Sequence, residues 1–210
     1  MKPLRIVSRV GLLLTLAALG VGCAVTDTSR YYALGAFQAP VGAERPAAES
    51  SLTIGIGPVG IPGYLDRPQL VTRDASDNLE IWPYHRWAEP LDLGIAEALA
   101  NDLSARVPGD RLAIFPWRGA LARTIDYQVV VAVVRFEGSP GRTVTLDARW
   151  RLLTREGKEV MFKRTIVTEP ITGEGMPALV AAMNRSIAGL GREVGDAIHA
   201  QSANRAGIRK

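Results

Sequence analysis

The stretch Tyr64–Leu91, YLDRPQLVTRDASDNLEIWPYHRWAEPL, decides how the rest of the chain is read. It holds two of the four Trp, two of the five Tyr and one of the two His. A half-buried strand alternates apolar and polar residues, and a helix interior avoids proline. Neither pattern lasts here. The segment predicts a proline-punctuated approach, a short strand at Gln69–Arg73, a turn at Asp74–Asn78 and a second short strand at Leu79–Trp82. WAEPL then stops the strand and starts a helix, with Trp87 packed at its start. Pro90 is expected in the first turn, where the missing N–H costs nothing. Two readings of the aromatics follow. They are core and helix-start packing, or Tyr64, Leu65, Arg67 and Trp87 edge a surface that docks another protein or a second copy of this chain.

Downstream of Pro90, Leu91, Ile95, Leu99, Leu103 and Val107 recur four residues apart, which predicts a helix that Pro108-Gly109 ends. Strands are expected at Arg111–Phe115 and Ile125–Phe136, the latter with Tyr127, Val129, Val131 and Val133 on one face. Val130 and Val134 on the other suggest cover on both sides. Thr143–Leu153 alternates most cleanly: Val144, Leu146, Ala148, Trp150 and Leu152 inward, Thr145, Asp147, Arg149 and Arg151 toward water. Glu159–Thr168 completes an antiparallel meander. A last helix over Met176–His199 carries an apolar stripe from Leu179 to Ile198. Its Gly189, Gly191 and Gly195 each cost up to about 1 kcal/mol relative to Ala, so they imply a close contact. His199 is expected near its C-terminus.

Upstream, Leu52–Val59 reads as a strand and Tyr31–Leu34 as another, joined by a polar Ala/Pro/Glu-rich linker at Gln38–Ser51. Gly55, Gly57 and Gly60 spell a G-x-G-x-x-G. Pro58, Pro62 and Gly63 forbid the helix that a dinucleotide fingerprint requires, so the glycines mark a bulged or edge strand. Each long helix offers one apolar stripe. The expected fold is therefore α+β: a single domain, an antiparallel-dominated β-sheet with two long α-helices packed on it.

The N-terminus bears on location. Residues 1–22 have a basic start and the apolar run VGLLLTLAALGVG, too short to span a bilayer and built like a secretory signal. The run ends in small residues before Cys23, the single cysteine of 210 residues. That resembles the bacterial lipobox, with Gly20 where Leu is usual, and makes Cys23 the expected lipidation site. Ala24 rather than Asp after it favours the outer membrane by resemblance to the Gram-negative sorting rule. Residues 23–51 then form a lipidated N-terminus, first strand and linker, 52–201 continue the domain, and 202–210 form a basic tail. From Cys23 to Tyr31 the chain reaches at most about 28 Å. Three of the 25 basic residues, Lys2, Arg5 and Arg9, lie in the signal, leaving 22 against 21 acidic residues. So balanced a domain has no electrostatic footprint for nucleic acid.

GYLDRPQLVTR followed by HRWAEPL and a helix resembles the signature of the PqiC family, the paraquat-inducible, ABC-type transport auxiliary lipoproteins. The lipidated Cys, YYAL and TIGIGPVGIPGYL follow in that family's order, from Cys23 to about His199. The resemblance implies a lipoprotein acting with a periplasm-spanning MCE-domain protein and inner-membrane transport components in lipid transport. No catalytic constellation accompanies it. His85 and His199 are far apart and fit no metal motif. Gly138-Ser139-Pro140-Gly141 has the wrong spacing for a nucleophile elbow. The carboxylates of Asp66, Asp74 and Asp77 stand in turns, where Asp serves backbone hydrogen bonding. No cofactor is expected. A module that binds lipid or another apolar ligand between sheet and helices is the alternative reading.

Overall fold

The strands that alternate most cleanly form the spine of the sheet. β6 (Tyr127–Gly138), β7 (Thr143–Thr154) and β8 (Glu159–Pro170) pair antiparallel along nearly their whole length. The computed structural model describes residues 28–35, 52–107, 111–139 and 141–208. Cys23 and its signal, the whole Gln38–Ser51 linker and the Pro108-Gly109 stop lie outside these residues.

The remaining strands are β1 (Arg30–Tyr32), β2 (Thr53–Gly60), β3 (Gln69–Arg73), β4 (Leu79–Trp87) and β5 (Arg111–Ile114). They attach to the free edge of β6, and that edge forks. β2 runs parallel to β6 from Ile54 opposite Tyr127 to Gly60 opposite Ala132, and carries β5 on its far side. Further along the same edge β3 takes over at a single pair, Thr72 opposite Gly138, and carries β4 and then β1. The α+β class and the antiparallel long ladders hold. The short strands, β3–β4 excepted, join in parallel, because crossovers rather than hairpins connect them.

Two long helices, α1 (Leu91–Arg106) and α3 (Gly175–Ile208), lie side by side on one face of the sheet. Their stripes are the expected ones: Leu91, Ile95, Leu99 and Leu103 of α1, and Leu179, Met183, Ile187, Leu190, Val194 and Ile198 of α3, are buried. The α3 glycines permit the close contact their positions implied, and it is internal. A Cβ at Gly191 would collide with the Asp102 carboxylate of α1, and one at Gly189 would stand 2.8 Å from a Val167 methyl of β8. Just after β1, Gly35 (φ +77°) is seated between the helices: its N–H donates to Asn184 Oδ1 (2.8 Å) and its carbonyl accepts from Asn101 Nδ2 (3.2 Å). A side chain there would be strained and would press on the Ala98 backbone, 3.1 Å away.

Several boundaries differ from the sequence reading. β4 continues past Trp82 to Trp87, because Pro83–His85 loop out as a bulge while Arg86 pairs Gln69 and Trp82 pairs Leu70. Pro90 caps α1 instead of sitting inside its first turn. β2 is bulged after Ile56, as its glycines implied, yet it is a central strand between β5 and β6. A short helix, α2 (Ala120–Thr124), was not anticipated. α3 runs on to Ile208, so residues 202–208 continue it and exposed His199 stands well before its end. Val134 is exposed, so the outer face of β6 is open there. Asp147, expected in water, is covered because Arg164 clamps it with two hydrogen bonds (2.9 and 2.6 Å). That contact also holds its carboxyl below the usual range.

Trp150 is fully buried on the helix side of β7. Its indole N–H donates to Thr165 Oγ1 (2.9 Å), and the Thr165 hydroxyl donates to Glu193 Oε2 (2.8 Å), linking β7, β8 and α3. Trp150→Ala removes the largest core side chain and strips Thr165 of a donor. It should cost about 3–5 kcal/mol, read as a large fall in the urea midpoint. An unchanged midpoint would place the ring outside the core.

Candidate partner-docking site

The quoted stretch splits into two environments. The turn Asp74–Asn78 forms as expected: Asp74 Oδ1 accepts from the backbone N–H groups of Ser76 (2.8 Å) and Asn78 (2.9 Å). Asn78 holds the Asp74 carboxyl below its usual range. Asp77 takes the left-handed conformation (φ 65°) that a short polar side chain tolerates. The loop before β3 folds back on itself, with Leu65 N–H donating to the Pro62 carbonyl (2.9 Å). The end of β4 is pinned to the same loop, Trp87 N–H donating to the Pro68 carbonyl (2.7 Å).

This packing corrects half of the docking expectation. Leu65 (3% exposed) and Trp87 (6%) belong to the hydrophobic core and cannot serve as protruding anchors. The core reading holds for Trp87 and Leu65, while Trp82 is partly buried and Tyr84 is exposed. Tyr64 is half-buried, and its hydroxyl donates to Glu137 Oε2 (2.7 Å). Burial, reinforced by that carboxylate, pushes the Tyr64 phenol up to about 12.

Glu137 is the residue that sequence reasoning missed. It is completely buried on the sheet face away from the helices, at the point where β6 passes from β2 to β3. Arg73 Nε of β3 donates to its Oε1 at 2.7 Å. Arg135 Nε lies 2.9 Å from the same oxygen but out of line for a hydrogen bond. A carboxylate with two guanidinium groups and a phenol is a structural tie here: its acceptors are occupied, and nothing is left over for acid–base work. A lone Glu inside an apolar strand, RFEG at Arg135–Gly138, was the available signal.

Arg67 remains on the surface, beside the edge of Trp87. The two line a groove of about 370 Å³ with Asp66, Pro68, Ala88, Glu89, Pro90 and Leu91. So the structure brings Arg67 and Trp87 together and places Tyr64 and Leu65 elsewhere. Arg67 Nε is buried and has no hydrogen-bond partner among the described residues. Across the groove, burial and then the nearby Glu97 push the Glu89 carboxyl up. An unmatched donor of this kind costs roughly 1–3 kcal/mol. Among the described residues no cluster of His, Cys, Asp or Glu could hold a metal, and no helix is long and apolar enough to cross a membrane.

Residues 32–195 match the family model described as the ABC-type transport auxiliary lipoprotein component. The chain belongs to this family. The intermembrane transport lipoprotein PqiC of Escherichia coli K12 is 27% identical over 176 residues, covering 81% of this chain and 88% of that protein. A crystal structure of a Xanthomonas campestris protein superposes with a TM-score of 0.64 at 17% identity, over 84% of this chain and 99% of its own. Another, of an uncharacterised protein, gives 0.64 at 20% identity, over 81% and 98%. Both share the fold. The PqiC-family resemblance read from GYLDRPQLVTR and HRWAEPL is thereby established, and with it a lipoprotein of a transport system.

Glu137→Ala leaves Arg73 and Arg135 facing an empty site and should cost about 3 kcal/mol, as breaking a buried ion pair does. Tyr64→Phe loses one hydrogen bond and should cost about 1 kcal/mol. Urea unfolding of the two variants tests this order; equal losses would remove Glu137 from its role as the tie.

Proposed function

We propose that this lipoprotein is held in the outer membrane by acyl chains on Cys23, faces the periplasm, and carries out no chemistry of its own. It serves as a docking or assembly subunit of an intermembrane lipid transport path. Its partners are a periplasm-spanning MCE-domain protein and, through it, inner-membrane transport components. Several acyl chains make such an anchor stable where one would be marginal.

The observation that carries the docking reading is the Arg67 groove. Its buried Nε lacks an acceptor, and its walls of Pro68, Ala88, Pro90 and the Trp87 edge are apolar. A partner backbone carbonyl seated there gains a charge-assisted hydrogen bond from the rest of the Arg67 guanidinium, whereas Asp66 and Glu89 in the same lining disfavour a carboxylate. Arginine beside an aromatic is also the composition of interface centres.

Two measurements test this. Cys23→Ala should leave the domain folded and release it from the membrane fraction; equal sedimentation of mutant and wild type would end the lipid-anchor reading. Arg67→Glu should leave circular dichroism and anchoring unchanged and weaken capture of the MCE-domain partner at least tenfold, the expected loss for a reversed charge at a desolvated contact. Leu65→Asp is the control for burial, and it should unfold the domain. Undiminished capture by a folded Arg67→Glu protein would move docking away from this groove.

A further inference from the structure

A larger cavity lies on the other side of β4. It has a volume of about 660 Å³ and opens between the β1–β4 edge and the first turn of α3. Its walls are apolar where Trp82, Ile171, Met176 and Leu179 meet, and charged where Arg30 and Glu174 stand. Among the described residues, neither the Arg30 guanidinium nor the Glu174 carboxylate has an ion-pair partner, although both stand at one site. His85 lines the same cavity, edge-on to the Trp82 ring, with its Nδ1 engaged by the Tyr32 hydroxyl at 2.8 Å. The Tyr32 contact leaves Nε2 as the ring nitrogen that it does not engage.

We infer that this cavity binds the zwitterionic headgroup of a phospholipid, phosphate toward Arg30 and His85, ammonium toward Glu174, and the glycerol and first acyl carbons against Trp82, Met176 and Leu179. Charge complementarity selects the occupant. A plain anion meets the Glu174 carboxylate, a plain cation meets Arg30, and an uncharged apolar ligand leaves both unmatched; a zwitterion with an apolar tail matches every wall. Size agrees, because pockets of roughly 300–1,000 Å³ hold small molecules. Position agrees as well. Arg30 is seven residues from Cys23, so the mouth stays within about 25 Å of a bilayer that holds the anchor. This last point rests on the proposed lipid anchoring; the charge and shape arguments do not.

The test uses the full chain with Cys23→Ala and short-chain lipids that dissolve as monomers. The chain has two histidines, and exposed His199 on α3 serves as an internal reference for the His85 imidazole resonance. Dihexanoylphosphatidylethanolamine should shift the His85 signal saturably and leave that of His199 in place. Arg30→Gln, at an exposed strand edge, should weaken binding roughly tenfold, the loss expected for one charge-assisted hydrogen bond. Glu174→Gln should abolish the preference for the ethanolamine over the glycerol headgroup. An unmoved His85, equally tight binding of inorganic phosphate or of glycerophosphoethanolamine, or wild-type affinity in Arg30→Gln would overturn the assignment. Failure of the anchor alone shows separately, as Cys23→Ala protein that still sediments with membranes.

Discussion

The fold depends on how one strand serves two neighbours along a single edge. β6 hands over from β2 to β3 within six residues, between Ala132 and Gly138. A straight twelve-residue strand would keep the same side chains facing the helices throughout. The bulge at Val134 shifts the phase, so Tyr127, Val129, Val131 and Val133 face inward before it, and Phe136 and Gly138 after it. The shift drives Glu137 to the opposite face, where a carboxylate could not remain buried unpaired. Arg73 and Tyr64 meet it there, and both belong to the branch that must join at this point. The ion pair thus fixes where β3 attaches, although β3 and β6 share one register pair. Gly138 completes the junction, because a Cβ there would collide with Leu179 of α3.

On the helix side, distance is set by absent side chains and closed by polar links. Gly191 and Gly195 bring α3 against Asp102 and Arg106 of α1, which are themselves paired at 2.6 Å. The cost of glycine in a helix interior is offset at Gly191 by a helix–helix approach that alanine would forbid, while Gly195 stands in ordinary contact with Arg106. The chain Trp150–Thr165–Glu193 ties the same helix to the outer strands. Together these hold both helices on one face. The other face is left partly open, with Phe162 and Ile166 of β8 more than half exposed.

Periodicity made the spine and both helix stripes legible, because each long element buries one face against a single layer. It failed where pairing is non-local. Nothing in Leu79–Trp87 alone says that Pro83–His85 will bulge, since that follows from where β1 and β3 sit on either side of β4. α2 buries none of its residues and so leaves no apolar pattern to read. The site was half legible for the same reason. Tyr64, Leu65, Arg67 and Trp87 were singled out by composition, which does not distinguish an aromatic that anchors a partner from one that closes a core. Leu65 and Trp87 close the core; Arg67 has its buried N–H and its groove only because Pro68 and Trp87 are locked to each other by a backbone hydrogen bond. Glu137 and the Arg30–Glu174 cavity join residues far apart in the chain, and no spacing rule connects them.

The seat of Gly35 between the helices bears on how the domain carries load. β1 holds β4 by three residue pairs, and an edge strand so short peels readily when its end is pulled. Immediately beyond it, Gly35 is fastened to Asn101 of one helix and Asn184 of the other. With the proposed anchor at Cys23, tension along the N-terminus is received by the two longest helices among the described residues and spread over the core they cover. The sheet edge acts as a guide, and the helix pair is the mooring.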